Sequence, residues 1–229
     1  MTTLTTRGSL DAELKNLDEN LTRLASMVED ALTNALDSLE RQDFQRARQV
    51  VAGDEEVNQL RYTIEQDCLR VLAIQQPQAS DLRRVVVITH IATELERIGD
   101  HASGISRLQL RMAEEGVVSI DSLHQLPKMG RRASKMIREA MESYLKEDET
   151  LAHKVINRDS KMNRNYGQFS TIMFDEMNTA VGEGEANYEV RFPTYMLWMA
   201  HNLERIGDRV TNICERIIFM ITGTWTEAD

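Results

Sequence analysis

The chain has 229 residues, with 27 Lys and Arg against 37 Asp and Glu for a formal net charge of −10, aromatic residues at 5% and only three prolines. That length suits one large domain or two small ones with a substantial core, and the acidic balance excludes a general nucleic-acid binder, because no basic excess exists to neutralise phosphates. No apolar run approaches the length of a membrane span and the opening MTTLTTRGSL has no apolar signal core, so a cytoplasmic protein without direct membrane insertion is expected.

Ser9 is placed to cap a first helix through LDAELKNLDENLTRLASMVEDALTNALDSLE. In it Leu10, Leu14, Leu17, Leu21, Leu24, Val28, Leu32, Ala35 and Leu39 recur at three- and four-residue steps. A second helix starts at Asp43, turns Ala47, Val50, Val57, Leu60, Ile64 and Leu72 to one face, and stops before Pro77. Ser80 and Asp81 offer caps for a third, from about 80 to 114. Gly116, VVSIDSLHQL and Pro127 read as a connection, and a fourth helix covers roughly 122–146. A fifth begins near Asp148 and ends before the glycine-rich VGEGEAN. A sixth runs from about 189 to 221, with Pro193 in its first turns or kinking it. The methionines at helical spacing read as core filler, and the tail TGTWTEAD, with Trp225, is expected to fray. Cys68 and Cys214 sit in separate helices with no CxxC, as buried thiols do in a reducing compartment, a single disulfide being the alternative.

The second half repeats the first. At a shift of 105 residues Ala35, Ser38, Asp43, Ala47, Val50, Asp54 and Asn58 land on Ala140, Ser143, Asp148, Ala152, Val155, Asp159 and Asn163. At a shift of 108 the third helix meets the sixth, and LERIGD at 95–100 meets LERIGD at 203–208. The fold class expected is therefore all-α: two tandem, pseudo-symmetric three-helix bundles of spectrin-like helices, 1–116 and 117–229.

Each LERIGD places two carboxylates one turn apart and off the core stripe of Leu95, Ile98, Ala102 and Ile105. Asp54 and Asn58 form another i, i+4 pair on the second helix. Packed together, Asp54, Asn58, Glu96 and Asp100 would make an oxygen-rich cluster, and Asp159, Asn163, Glu204 and Asp208 its repeat. Like charges at this spacing disfavour a helix by roughly 0.2–0.5 kcal/mol. Glu96 has no basic neighbour on its own helix, whereas Arg97 can reach Asp100 and Arg205 can reach Asp208. A bound cation would relieve the repulsion, and three carboxylates with an amide suit magnesium, calcium, manganese or oxidised iron. Gly99 and Gly207 cost about 1 kcal/mol each in a helix relative to alanine, which close helix approach would justify. A solvated acidic face is the plain alternative for a single such pair, but the identical hexapeptide in two divergent halves favours a metal or partner site. Asp54/Asn58 and Asp159/Asn163 read equally well as polar pairs bonding across helices.

A ferritin-like or di-iron oxidase reading requires Glu-x-x-His, and the residues three before His90, His101, His124, His153 and His201 are Val87, Ile98, Asp121, Thr150 and Trp198. There is no Gly-rich phosphate loop and no GxSxG. A metal-free helical scaffold remains the alternative from another class.

The run QQPQASDLRRVVVITHIATELERIGD, followed later by HNLERIGDRVTNICE, is similar to the PhoU family of phosphate-signalling regulators. The resemblance extends over nearly the whole chain. It implies two bundles carrying metal through ExxxD and DxxxD-type motifs. Here these are Glu96 with Asp100 and Glu204 with Asp208, with Asp54/Asn58 and Asp159/Asn163 on the neighbouring helices. Asn58 and Asn163 stand where the family often has Asp. Glu55 can substitute at the first site but Ser160 cannot at the second, so the two are expected to differ in charge and occupancy. The metal implied is iron, zinc, magnesium, manganese or calcium. The resemblance also implies a non-enzymatic negative regulator of phosphate uptake and of the phosphate-starvation response. Such a protein docks on a phosphate ABC transporter ATPase and a sensor histidine kinase at the membrane, here as a homodimer. Arg97, Arg205 and Arg209 border the acidic sites and are expected to meet acidic partner surfaces.

Overall fold

The computed structural model describes residues 2–117, 126–182 and 190–225, with side chains described from 7 onward and, in the second stretch, up to 179. The expected helix start at 122, the repeat junction beyond 117 and most of VGEGEAN lie outside them. Six helices follow in order: α1 Thr2–Arg41, α2 Phe44–Gln75, α3 Ala79–Glu114, α4 Leu126–Lys146, α5 Glu149–Gly182 and α6 Arg191–Thr222. No strand occurs among the described residues. The nine apolar residues named on the first helix are all buried in α1, each worth roughly 1.5–3 kcal/mol if it is a full Leu or Val side chain. Pro127 and Pro193 sit within the first three residues of α4 and α6, where a missing N–H costs nothing. The third helix is capped differently from expectation: Gln78 is its N-cap without a side-chain bond, and Asp81 instead holds Arg7 of α1 at 2.7 Å.

The repeat is visible in its turns. Between α1 and α2 the Asp43 N–H donates to the Ser38 carbonyl at 2.9 Å, and between α4 and α5 the Asp148 N–H donates to the Ser143 carbonyl at 2.9 Å. Gln42 and Glu147 take the same left-handed backbone, φ +54° and +51°. The Asp43 and Asp148 carboxylates then cap the next helix by accepting from the N–H groups of Arg46 and Leu151, at 3.0 and 2.9 Å.

Within each unit successive helices run antiparallel. Arg70 of α2 reaches Glu13 of α1, and Gln75 reaches Ser9. The two units join along α3 and α6, which also run antiparallel. Glu94 meets Arg209 and Asn212, His101 meets Asn202, and Glu115 meets Arg191. α1 and α4 add a second seam, where the buried Tyr144 hydroxyl donates to Asp18 at 2.6 Å and Arg84 donates to the same carboxylate at 2.8 Å. One continuous apolar core runs through both units, and it holds Cys68 and Cys214 as free, buried thiols. Burial raises both thiols, Cys68 to about 11. No helix among the described residues is long and apolar enough to cross a membrane.

Candidate functional site

In the first unit, Gly99 sets the distance between α3 and its neighbours. A Cβ there would lie 3.2 Å from Val57 Cγ1 and 3.6 Å from Val28 Cγ2, so the missing side chain lets α3 settle against α1 and α2. This brings Asp54 on α2 beside Glu96 and Asp100 on α3. Burial and then the Asp100 charge push both the Asp54 and the Glu96 carboxyls above their usual range. Two arginines answer this. Arg107 donates to Asp54 Oδ2 at 3.0 Å, and Arg61 Nε lies 4.0 Å from Glu96 Oε1 while its terminal nitrogen pairs with Glu65 at 2.5 Å. Asp100 is exposed, Asn58 half-buried and Glu55 exposed. Arg97 does not turn to Asp100: it donates to Glu94 at 2.9 Å, one turn back.

In the second unit Gly207 has a sharper role. A Cβ there would sit 2.7 Å from Asp159 Oδ1 and 3.3 Å from Met162 Cγ, so the carboxylate of α5 occupies the space a side chain on α6 would fill. Asp159 Oδ2 accepts from Asn163 Nδ2 at 2.8 Å, which pairs these two residues within α5, while Oδ1 is buried with no hydrogen-bond donor. Glu204 Oε2 is likewise buried without a hydrogen bond. His201 Nδ1 lies 3.3 Å from it, within ion-pair range but out of hydrogen-bonding alignment. Burial and then Asp208 push the Asp159 and Glu204 carboxyls up. Arg205 pairs with Asp208 at 2.8 Å, as the spacing predicted. Arg209 is drawn inward instead, 3.5 Å from Glu94 across the α3–α6 seam and only 20% exposed.

The clusters therefore share their acids and differ in their cations. At the repeat shifts Arg61 corresponds to Tyr166 and Arg107 to Glu215, so the two guanidiniums beside the first cluster have no counterpart beside the second. Arg61 and Arg107 are not among the residues the sequence singles out, because neither lies within one turn of Glu96 on its own helix. The available signal was spacing: Arg61 stands seven residues after Asp54 and Arg107 seven after Asp100, two turns along the same faces.

Among the described residues no group of three or more His, Cys, Asp or Glu side chains is arranged to hold a metal ion as it stands. The carboxylates are turned to Arg107, Asn163 and Arg205. The donor chemistry nevertheless fits a hard cation, and the buried, unpartnered oxygens of Asp159 and Glu204 are the kind of acceptor that a cation satisfies.

Two tandem three-helix units with a carboxylate cluster at each repeated LERIGD define a duplicated, acid-patched helical bundle. The PhoU domain matches residues 21–108 and 126–217. The PhoU homolog of Clostridium acetobutylicum is 32% identical over 219 residues, covering 95% of this chain and 96% of its own. The phosphate-specific transport system accessory protein PhoU of Escherichia coli is 33% identical over 224 residues, covering 94% and 86%. Among solved structures, the phosphate transport system regulatory protein PhoU from Streptococcus pneumoniae superposes with a TM-score of 0.85 at 28% identity, over 96% of this chain and 100% of the other. PhoU from Pseudomonas aeruginosa gives 0.83 at 31% identity, over 93% and 99%. The chain belongs to the PhoU family.

Proposed function

We propose that this protein is an accessory regulator of phosphate-specific transport that restrains phosphate uptake and the phosphate-starvation response. It acts without catalysis, in the cytoplasm, by docking on the ATPase of a phosphate ABC transporter and on a sensor histidine kinase, with a cation at its acidic clusters. Relatives that align over nearly the full chain are named as accessory or regulatory proteins of that transport system, which supports the role. The observation that carries the cation is the buried, unpartnered Oδ1 of Asp159 in the space vacated at Gly207. Asp159, Glu204 and Asp208, with Asn163, would hold it in the second unit, and Asp54, Glu96 and Asp100, with Asn58, in the first. What a cation supplies is positive charge. It would neutralise acids that otherwise repel one another and change the potential of the face they share. The second cluster is the stronger candidate, because Arg61 and Arg107 already neutralise part of the first. Magnesium, manganese, calcium, zinc and iron all remain compatible with the donor set. Arg97, 49% exposed, and Arg205, 38% exposed, are available at the rim for acidic partner surfaces, while Arg209 is committed to Glu94.

The test is a phosphate-responsive reporter in a deletion strain. Wild type restores repression in phosphate-rich medium, and Asp159→Asn/Glu204→Gln/Asp208→Asn does not, at equal protein level. A reporter indifferent to the deletion would remove the regulatory reading. A triple variant that represses normally would remove the cation from it.

A further inference from the structure

The seam between α3 and α6 carries two adjoining grooves along one half. In the first, Gly104, Arg107, Leu108 and Arg111 of α3 face Trp198, His201 and Asn202 of α6 across a groove of about 420 Å³. A second groove of about 340 Å³ continues it past Arg111 and Trp198 to Glu115, Arg191, Thr194 and Tyr195. Gly104 leaves the floor low, since a Cβ there would lie 3.2 Å from Asn202 Oδ1. Tyr195 and Trp198 meet edge to face at 5.5 Å, and Trp198 is 46% exposed, a large apolar ring nearly half open to solvent. Arg107, Arg111 and Arg191 stand on the rim with their side chains more than half exposed. Against these three arginines the groove linings include one acid, Glu115, and Arg107 also pairs with Asp54 outside them, in a chain whose net charge is −10. Arg111 and Arg191 already grip that carboxylate at 3.1 and 3.5 Å, which is how an incoming acid would be received.

At the repeat-related positions on α6 the chain supplies an aromatic side chain of its own. At the shift of 108, Arg111 corresponds to Phe219 and Leu108 to Arg216. There Trp225 folds back, stacks on Phe219 at 4.0 Å and lies under Arg216 at 4.6 Å. The repeat-related surface of α6 thus takes an aromatic side chain from the segment that follows it, with Trp225 still 58% exposed, and in sequence that segment continues into Glu227 and Asp229.

We infer that the open groove of Arg107, Arg111, Arg191, Tyr195 and Trp198 is a docking site for an acidic segment of a protein partner that lays an aromatic or aliphatic side chain against Trp198. Charge complementarity selects the segment and the exposed ring anchors it. The inference deepens the docking reading above and shares with it only the premise that the protein works by binding another protein. Its charge-reversal test falls on Arg111 and Arg191, outside the acidic clusters, whereas Arg107 is shared with the first cluster through Asp54.

Trp225→Phe leaves Trp198 as the single tryptophan, so its emission reports on the groove. A synthetic peptide rich in glutamate with one central phenylalanine is expected to shift that emission saturably, and its glutamine counterpart is not. Arg111→Glu/Arg191→Glu should weaken the peptide at least about tenfold, with helical circular dichroism and melting midpoint close to wild type. Trp198→Ala should weaken it too, read by anisotropy of a labelled peptide. No saturable shift, or equal affinity in the charge-reversed variant, overturns the inference. So does tighter binding of a single-stranded oligonucleotide than of the peptide. Sedimentation in which the free chain self-associates through Trp198, and Trp198→Ala makes it monomeric, overturns it in favour of a second copy. None of these failures would alter the reporter outcome for the cluster variant.

Discussion

Asp159 is held where Gly207 has no side chain, and that single contact separates stability from binding. Gly207→Ala gains up to about 1 kcal/mol of helix propensity, and its Cβ, 2.7 Å from Asp159 Oδ1 and 3.3 Å from Met162 Cγ, displaces the tip of a flexible carboxylate and presses lightly on Met162. The variant should therefore melt within about 1 kcal/mol of wild type, while cation affinity measured by calorimetry falls about tenfold or more. Charge at the same residue sets a pH dependence. Burial and Asp208 raise the Asp159 carboxyl, and burial and Asp208 raise Glu204. The folded chain then holds these protons more tightly than the unfolded one. The stability they contribute is complete below the ordinary carboxylate range, near about 4, and is lost as pH rises through the raised values. In chelator, wild type should lose melting temperature over that interval. Asp159→Asn should lose less and melt higher at neutral pH. Parallel pH profiles for the two proteins would contradict the assignment.

At the scale of the helices, the close approach at Gly99 is the more rigid one, because it faces branched Val57 and Val28 rather than a movable carboxylate. Gly99→Leu should cost about 1–3 kcal/mol by overpacking, beyond any propensity gain, read as a lower midpoint in urea. Tyr144 has Leu39 as its counterpart in the first unit, and its hydroxyl ties α4 to Asp18 of α1. Tyr144→Phe should cost about 1.5 kcal/mol, since Asp18 keeps Arg84. The six helices were legible because their apolar stripes recur at helical spacing and prolines and caps mark their ends. The pairing of Asp54 with the LERIGD acids was legible because the repeat preserves both. Partners across helices were not. Periodicity says which face a residue shares, not which atom it meets, so Arg97 turning to Glu94, Arg209 turning inward and Arg107 bridging to Asp54 appear only with three helices in place. Trp225, expected to fray, is stacked on Phe219, whose ring the core buries only in part.

For the whole molecule, two clusters of like acids on one continuous core make cation loading a stability measurement. Saturation at a hundred times the dissociation constant adds about 2.7 kcal/mol per site, so chelator should lower the melting temperature and added cation restore it. Glu204→Gln/Asp208→Asn should abolish most of that shift and Glu96→Gln/Asp100→Asn less of it, because Arg61 and Arg107 already screen the first cluster. Equal losses would mean that the arginines do not distinguish the units. Trp225 bears on the same asymmetry. A duplicated chain whose halves matched throughout would offer a visitor two interchangeable berths, but here Arg107 and Arg111 have Glu215 and Phe219 as their counterparts. By lying over Phe219 and under Arg216, Trp225 covers part of the α6 surface that corresponds to the open groove. The duplicated body then has a bow and a stern, and a partner moored at the open groove would find the second cluster always on the same side.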